Sequence, residues 1–249
     1  MEHFQNPFEL RALSSARVVV NRRFFSEMLS GARTHRFFSH PFMAAFAETS
    51  SRELASYVLT TFYQIVSPFT GLLFSLGGRA PTLETRFALM DNIYEEMGCG
   101  DLACAHPNLY LRMLSSIGVD AAAAERVPVL PAIGQINDHL RDVVNHRHFS
   151  VACAVLASAE ATIPASFPAL ARGAQNAFQG IDLSFFDRHG PRDEGHSGDA
   201  ATLFAVTGDS SQFALVQQEV TLDLEYRSEL FDDWAAHLPS QRRTRAKEL

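Results

Sequence analysis

Three groups of residues in this 249-residue chain have the types and spacing to bind a redox metal. Glu160 is the only charged side chain in residues 149–171, an otherwise apolar run. Burying a lone carboxylate in a helix core costs several kcal/mol unless it is paired, protonated or bound to a cation. Glu160 therefore needs a place at the rim, an arginine from another helix, or a metal. Next, His189, Asp193 and His196 stand at i, i+4 and i+7. At about 100° per residue these positions fall within roughly 40° of one another on a helix and face one way. Gly190, Pro191 and Gly195 suit a helix interior poorly, so His189 is expected just ahead of the regular helix. The segment should be weakly self-supporting until a metal organises it; the plainer alternative is a polar Gly/Pro-rich loop. Third, Gly98 and Gly100 can end one helix and Pro107 can open the next, which sets Glu96 and His106 on either side of a bend. Together these residues supply three imidazoles and three carboxylates, a mixed nitrogen and oxygen set that suits iron with positions open to dioxygen. Six ligands shared between two ions is the economical reading. A ferritin-like site would show Glu-x-x-His twice; only the related Asp193-x-x-His196 occurs here.

Such ligands need rigid elements to aim them. Apolar residues recur three and four apart in most of the chain, and alternating strand-like runs are missing, so an all-α chain is predicted. Helices are expected at about 8–30, 41–47, 51–77, 82–97, 107–117, 128–146, 149–178, 193–207 and 210–237, broken at Gly and Pro. Residues 1–240 are read as a single helical-bundle domain of about seven core helices, and 241–249 as a basic flexible tail. Residues 54–78 carry no charge and are long enough to cross a bilayer. However, Thr60, Thr61, Gln64, Ser67 and Thr70 recur there and Pro68 interrupts the run, which suits a buried helix of a soluble bundle. Tyr63, Gln64 and Thr70 are the candidate pocket walls of that helix.

Composition narrows the function. A net charge of −7 and a pI near 5.8 lack the cationic footprint that nucleic-acid binding requires. Lys247 is the sole lysine against twenty arginines, which excludes Schiff-base and P-loop chemistry. Three cysteines, Cys99, Cys104 and Cys153, make no disulfide framework and no Cys-x-x-Cys pair. With an acidic start and no long apolar run after it, a cytoplasmic protein without a membrane span is expected. Gly98-x-Gly100-x-x-Ala103 mimics a dinucleotide fingerprint but follows an amphipathic helix rather than a strand, so nucleotide binding is not expected. His146 and His148 read as a solvated corner, and His139, His237, His3, His35 and His40 lack ligand spacing.

The pattern Glu96-Met97-Gly98-x-Gly100-Asp101 with His106 ten residues after Glu96, then Glu160, then His189-x3-Asp193-x2-His196, resembles the haem-oxygenase-like di-iron oxidases and oxygenases. The likeness spans about residues 50 to 205. It implies a haem-free helical bundle binding two Fe ions, with Glu96, His106, Glu160, His189, Asp193 and His196 as ligands. The position of Gly98 selects Glu96 over the adjacent Glu95. It also implies dioxygen as co-substrate, an external electron donor or reductase, a small-molecule substrate, and a possible homodimer. No catalytic side chain beyond the ligands is singled out. Members of that family N-oxygenate amines, cleave C–C bonds of fatty or amino acids, or build aryl amines, commonly in natural-product biosynthesis. The expected reaction is N-oxygenation of an amino group of a small metabolite toward a nitro group. One departure stands against it: some N-oxygenating relatives supply an extra carboxylate from the preceding core helix, and residues 54–82 contain no Asp or Glu. The alternatives are oxidative C–C cleavage or desaturation of an amino acid or fatty acid, and a metal-free small-molecule-binding module. A compact polar-lined pocket would favour the amine and an apolar tunnel the fatty acid.

Overall fold

The structure, a computed structural model, describes residues 15–189 and 193–238; the side chains of 193–199 lie outside the described residues, as do the start of the helix expected from about 8 and the basic tail expected at 241–249. The helices are α1 (Ala16–Ala32), α2 (Pro41–Ala47), α3 (Arg52–Arg79), α4 (Leu83–Glu96), α5 (His106–Ser116), α6 (Ala121–Arg126), α7 (Pro131–His146), α8 (Phe149–Glu160), α9 (Ile163–Ala177), α10 (Ser184–Arg188), α11 (Asp193–Thr207) and α12 (Phe213–Ala235). No strand occurs among the described residues, in keeping with the all-α expectation.

Every residue of α8 is buried. A helix that is apolar all round has no solvent face to offer, and α8 lies centrally against α3, α7, α11 and α12. One cluster of buried apolar side chains runs from Phe25 to Trp234 around it. By length and composition α3 and the run Phe149–Ala177 could each cross a membrane, yet 50% and 78% of their most apolar stretches are buried inside the bundle. Core packing accounts for their composition.

Two prolines shape the elements near the site. Pro68 lies inside α3 and cannot donate to the carbonyl of Gln64 one turn earlier. Asn137 Nδ2, from α7, donates to that carbonyl at 2.9 Å, so the helix continues through the proline. Pro164 acts differently. The sequence reading expects one helix over 149–178, but the chain turns at residues 161–162. Pro164 has no N–H for the Glu160 carbonyl and its ring crowds it, which ends α8 at Glu160. Thr162 Oγ1 donates to Ala159 O at 2.6 Å at that end, and Pro164 sits in the first turn of α9, where proline is tolerated.

The bend between α4 and α5 depends on glycine. Gly98, Cys99 and Gly100 all have positive φ, at +82°, +57° and +91°. A Cβ on Gly98 would lie 2.2 Å from Asp101 O and 2.5 Å from Ala105 N, so only glycine lets the chain close this tightly. At the far end of α11, the fully buried Asn21 of α1 donates from Nδ2 to Ala205 O and Gly208 O, each at 2.9 Å, and fixes where that helix stops.

Candidate metal centre

Glu96 is the last residue of α4, His106 the first of α5, and His189 follows α10 directly. All three are buried, and one ligand atom of each lies within 4.8 Å of those of the other two. The Gly98 bend is what returns the chain from Glu96 to His106. Glu96, not its half-buried neighbour Glu95, joins the cluster.

His189 Nδ1 is 2.7 Å from Phe185 O. A carbonyl only accepts, so the ring nitrogen donates, and the lone pair of the neutral ring is on Nε2. Histidine ligands are commonly oriented by such a bond from their second nitrogen. Aromatic contacts fix the ring further: Phe185 and His106 each lie 4.3 Å from it between centroids, and Phe167 lies 5.2 Å away. Glu160 accepts from Asn92 Nδ2 at 3.1 Å. Asn92 stands one turn before Glu96 on α4, so the two share a face.

The four side chains Glu96, His106, Glu160 and His189 face one cavity of about 90 Å³. Its walls are Phe62, Ile65, Val66 and Phe69 of α3, Phe167 and Leu170 of α9, and Leu230 and Phe231 of α12. Arg227 of α12 also reaches it. Tyr63, Gln64 and Thr70, the walls expected from sequence, are not among its described lining residues. The reason is helical phase together with local satisfaction. Tyr63 turns toward Tyr110, at 6.0 Å between rings, and Gln64 Nε2 donates to Val127 O at 2.6 Å. Asp193 and His196 fall in the first turn of α11, and their side chains lie outside the described residues.

The donor set fits a cation. His106 Nδ1 and Glu96 Oε2 are in contact at 2.9 Å, and among the described residues His106 Nδ1 has no hydrogen-bond partner. Buried polar atoms in proteins are nearly always satisfied. A bound cation within reach of Glu96, His106 and His189 would satisfy them. Elsewhere, Cys153 is buried, which pushes its thiol pKa up, and His148 Nδ1 accepts from Ser150 N to cap α8.

Two contributors escaped the sequence reading. Asn92 carries no sequence signal beyond its i, i+4 relation to Glu96. Arg227 does: with Asp223, four residues earlier, it interrupts the apolar stripe of the last helix.

A family model described as an iron-containing redox enzyme matches residues 56–226. No curated protein matches the sequence. Among solved structures, a CadD-like protein of unknown function from Nostoc punctiforme is 14% identical with a TM-score of 0.73, covering 88% of this chain and 99% of that one. A TenA homologue from Pseudomonas syringae pv. tomato is 14% identical with a TM-score of 0.66, covering 89% and 93%. A domain of unknown function with a haem-oxygenase-like fold from Shewanella denitrificans is 15% identical with a TM-score of 0.66, covering 88% and 92%. At these identities the structural likeness establishes the haem-oxygenase-like fold.

Proposed function

Because this chain belongs to the iron-containing redox enzyme family, we propose that it is a non-haem di-iron oxidase that applies dioxygen to a small molecule held in the cavity. The convergence of Glu96, His106 and His189 on one buried point carries this reading. Glu96, His106, Glu160 and His189 would hold the metal, together with Asp193 and His196, which the family resemblance adds to the ligand set. Two Fe ions, when bound, supply dioxygen activation, with an external reductant returning the electrons.

The chain's own residues supply the setting. Phe185 O holds the His189 ring in one tautomer, and Asn92 holds Glu160 Oε1. Phe62, Val66, Phe167 and Phe231 give the cavity walls that exclude water and seat an apolar body. These walls favour oxidative C–C cleavage or desaturation of a small apolar acid. N-oxygenation of an amino group toward nitro is the second reading, and it rests on the family resemblance. A role in natural-product biosynthesis follows from the resemblance alone.

Anaerobic Fe(II) loading followed by metal analysis, oxygen consumption and mass spectrometry over a panel of small acids and amines tests the proposal. Retained iron with substrate-dependent oxygen uptake is the expected result. Asp193→Ala or His196→Ala is expected to lose iron while keeping the helical circular dichroism. A wild-type chain that holds no iron and develops no oxygen-dependent absorbance would leave the metal-free binding module as the function.

A further inference from the structure

On α12 the buried side chains Val216, Val220, Leu224, Phe231 and Trp234 stand three, four or seven residues apart, and Asp223 falls among them. Arg227, one turn beyond Asp223, lies in the same stripe and reaches the cavity. Its Nε donates to Asp223 Oδ2 at 2.6 Å. Among the described residues Asp223 is the only hydrogen-bond partner of this guanidinium. One edge of the fork is thus pinned and the two terminal nitrogens, with their four N–H donors, are unclaimed. The ion pair with Asp223 balances its charge, so what the terminal N–H groups lack is an acceptor rather than a counter-ion. A carboxylate offers two acceptor oxygens in the plane that matches the fork.

The rest of the wall fixes the body of that ligand. Apart from the metal cluster and two hydroxyls, Thr162 and Ser166, which donate to backbone carbonyls, the cavity is aromatic and aliphatic. Its volume is about 90 Å³. A volume of that size suits a short hydrocarbon body better than a long fatty tail.

We propose that Arg227 is the specificity-determining residue of this cavity: its terminal N–H groups bind the carboxylate of a short apolar acid. The hydrocarbon body of the acid lies against Phe62, Val66 and Phe231. The inference rests on the cavity being the substrate site and commits that site to acids.

Binding to the full-length, metal-free protein tests it. Trp234 is the single tryptophan and packs on two cavity walls, Phe231 at 5.8 Å and Phe62 at 6.0 Å, so its fluorescence reports occupancy. The probes are 4-methylpentanoate, its amide, and 4-methylpentylamine. Wild type is expected to bind the acid more tightly than the amide by about 10- to 150-fold, the range for hydrogen bonds to a charged group. Arg227→Gln is expected to lose that preference and Arg227→Lys to keep part of it. The double variant Asp223→Asn with Arg227→Gln leaves no buried carboxylate unpaired and should behave as Arg227→Gln does. The proposal is overturned if wild type fails to bind the acid at millimolar concentration, binds amide or amine as tightly, or if Arg227→Gln binds the acid unchanged. Iron plays no part in this titration. Acid selectivity in a protein that takes up no iron would overturn the oxidase reading alone, and iron uptake with no acid preference would overturn this inference alone.

Discussion

Replacing Asn92 with alanine perturbs the proposed centre without touching any ligand. Asn92 and Glu160 are 4% and 5% exposed, and the bond between them is 3.1 Å long. A hydrogen bond to a charged group contributes ~1.5–3 kcal/mol, which is about 10- to 150-fold in an equilibrium constant. Removal of the groups that orient metal ligands typically lowers metal affinity by about 10- to 100-fold, so the two routes to the magnitude agree. In a chain of this size ~1 kcal/mol moves the unfolding midpoint by about 2–4 °C. Metal-free Asn92→Ala should therefore unfold ~3–12 °C below wild type, read by circular dichroism. Competition for Fe(II) against a chromophoric chelator, without oxygen, should show the affinity loss. Asn92→Asp, which sets a like charge beside Glu160, should destabilise the metal-free protein more and recover part of the loss when iron binds. Wild-type stability and wild-type iron affinity together in Asn92→Ala would refute the claim that this amide holds Glu160 for a cation.

Other positions give independent outcomes. A Cβ at Gly173 would lie 2.4 Å from Phe46 O, so in Gly173→Ala a propensity gain of ~1 kcal/mol is outweighed by overpacking of ~1–3 kcal/mol; a raised unfolding midpoint would mean that α2 withdraws freely. Asn137→Ala strips the Gln64 carbonyl of its donor at the Pro68 interruption and should cost ~1–3 kcal/mol in urea unfolding, whereas an unchanged midpoint would show that water substitutes. Hydrogen bonds from Arg36 hold the Glu225 and Asp232 carboxyls below their ordinary pKa. Their stabilisation is present above the unfolded carboxylate pKa and is lost as pH falls through the lowered folded values. Arg36→Ala should flatten that acid limb, by no more than ~1 kcal/mol because all three groups are exposed; an unaltered profile of stability against pH would count against the pairing.

The helices were readable because their apolar spacing and their punctuation agree: Ser51 caps α3, Thr82 caps α4, and Gly98 and Pro107 bracket the bend that joins Glu96 to His106. Convergence of Glu96, His106 and His189 followed from residue type, since each is costly to bury alone. The break after Glu160 was harder to see, because continuous hydrophobicity from 149 to 171 overrode the one-turn relation between Pro164 and the Glu160 carbonyl. Pocket walls were misjudged for a general reason. Hydroxyls in an apolar helix look like pocket lining, but Thr60 Oγ1 donates to Ser56 O at 2.6 Å and Thr61 Oγ1 to Tyr57 O at 2.9 Å, satisfying themselves on their own helix. The true lining, Phe62, Ile65, Val66 and Phe69, reads as ordinary core until the opposing helices are placed.

The bend at Gly98 brings one carboxylate and one imidazole together over a short stretch of chain, whereas His189 arrives only once a segment far later in the chain has docked. The donors of the proposed centre thus come from separate stretches of chain, the bend at Gly98 and the segment that begins at His189. If a cation binds there, the complete donor set exists only in the finished fold, and that is where iron would have to compete with zinc or copper, the stronger binders of nitrogen and oxygen donors in the divalent series.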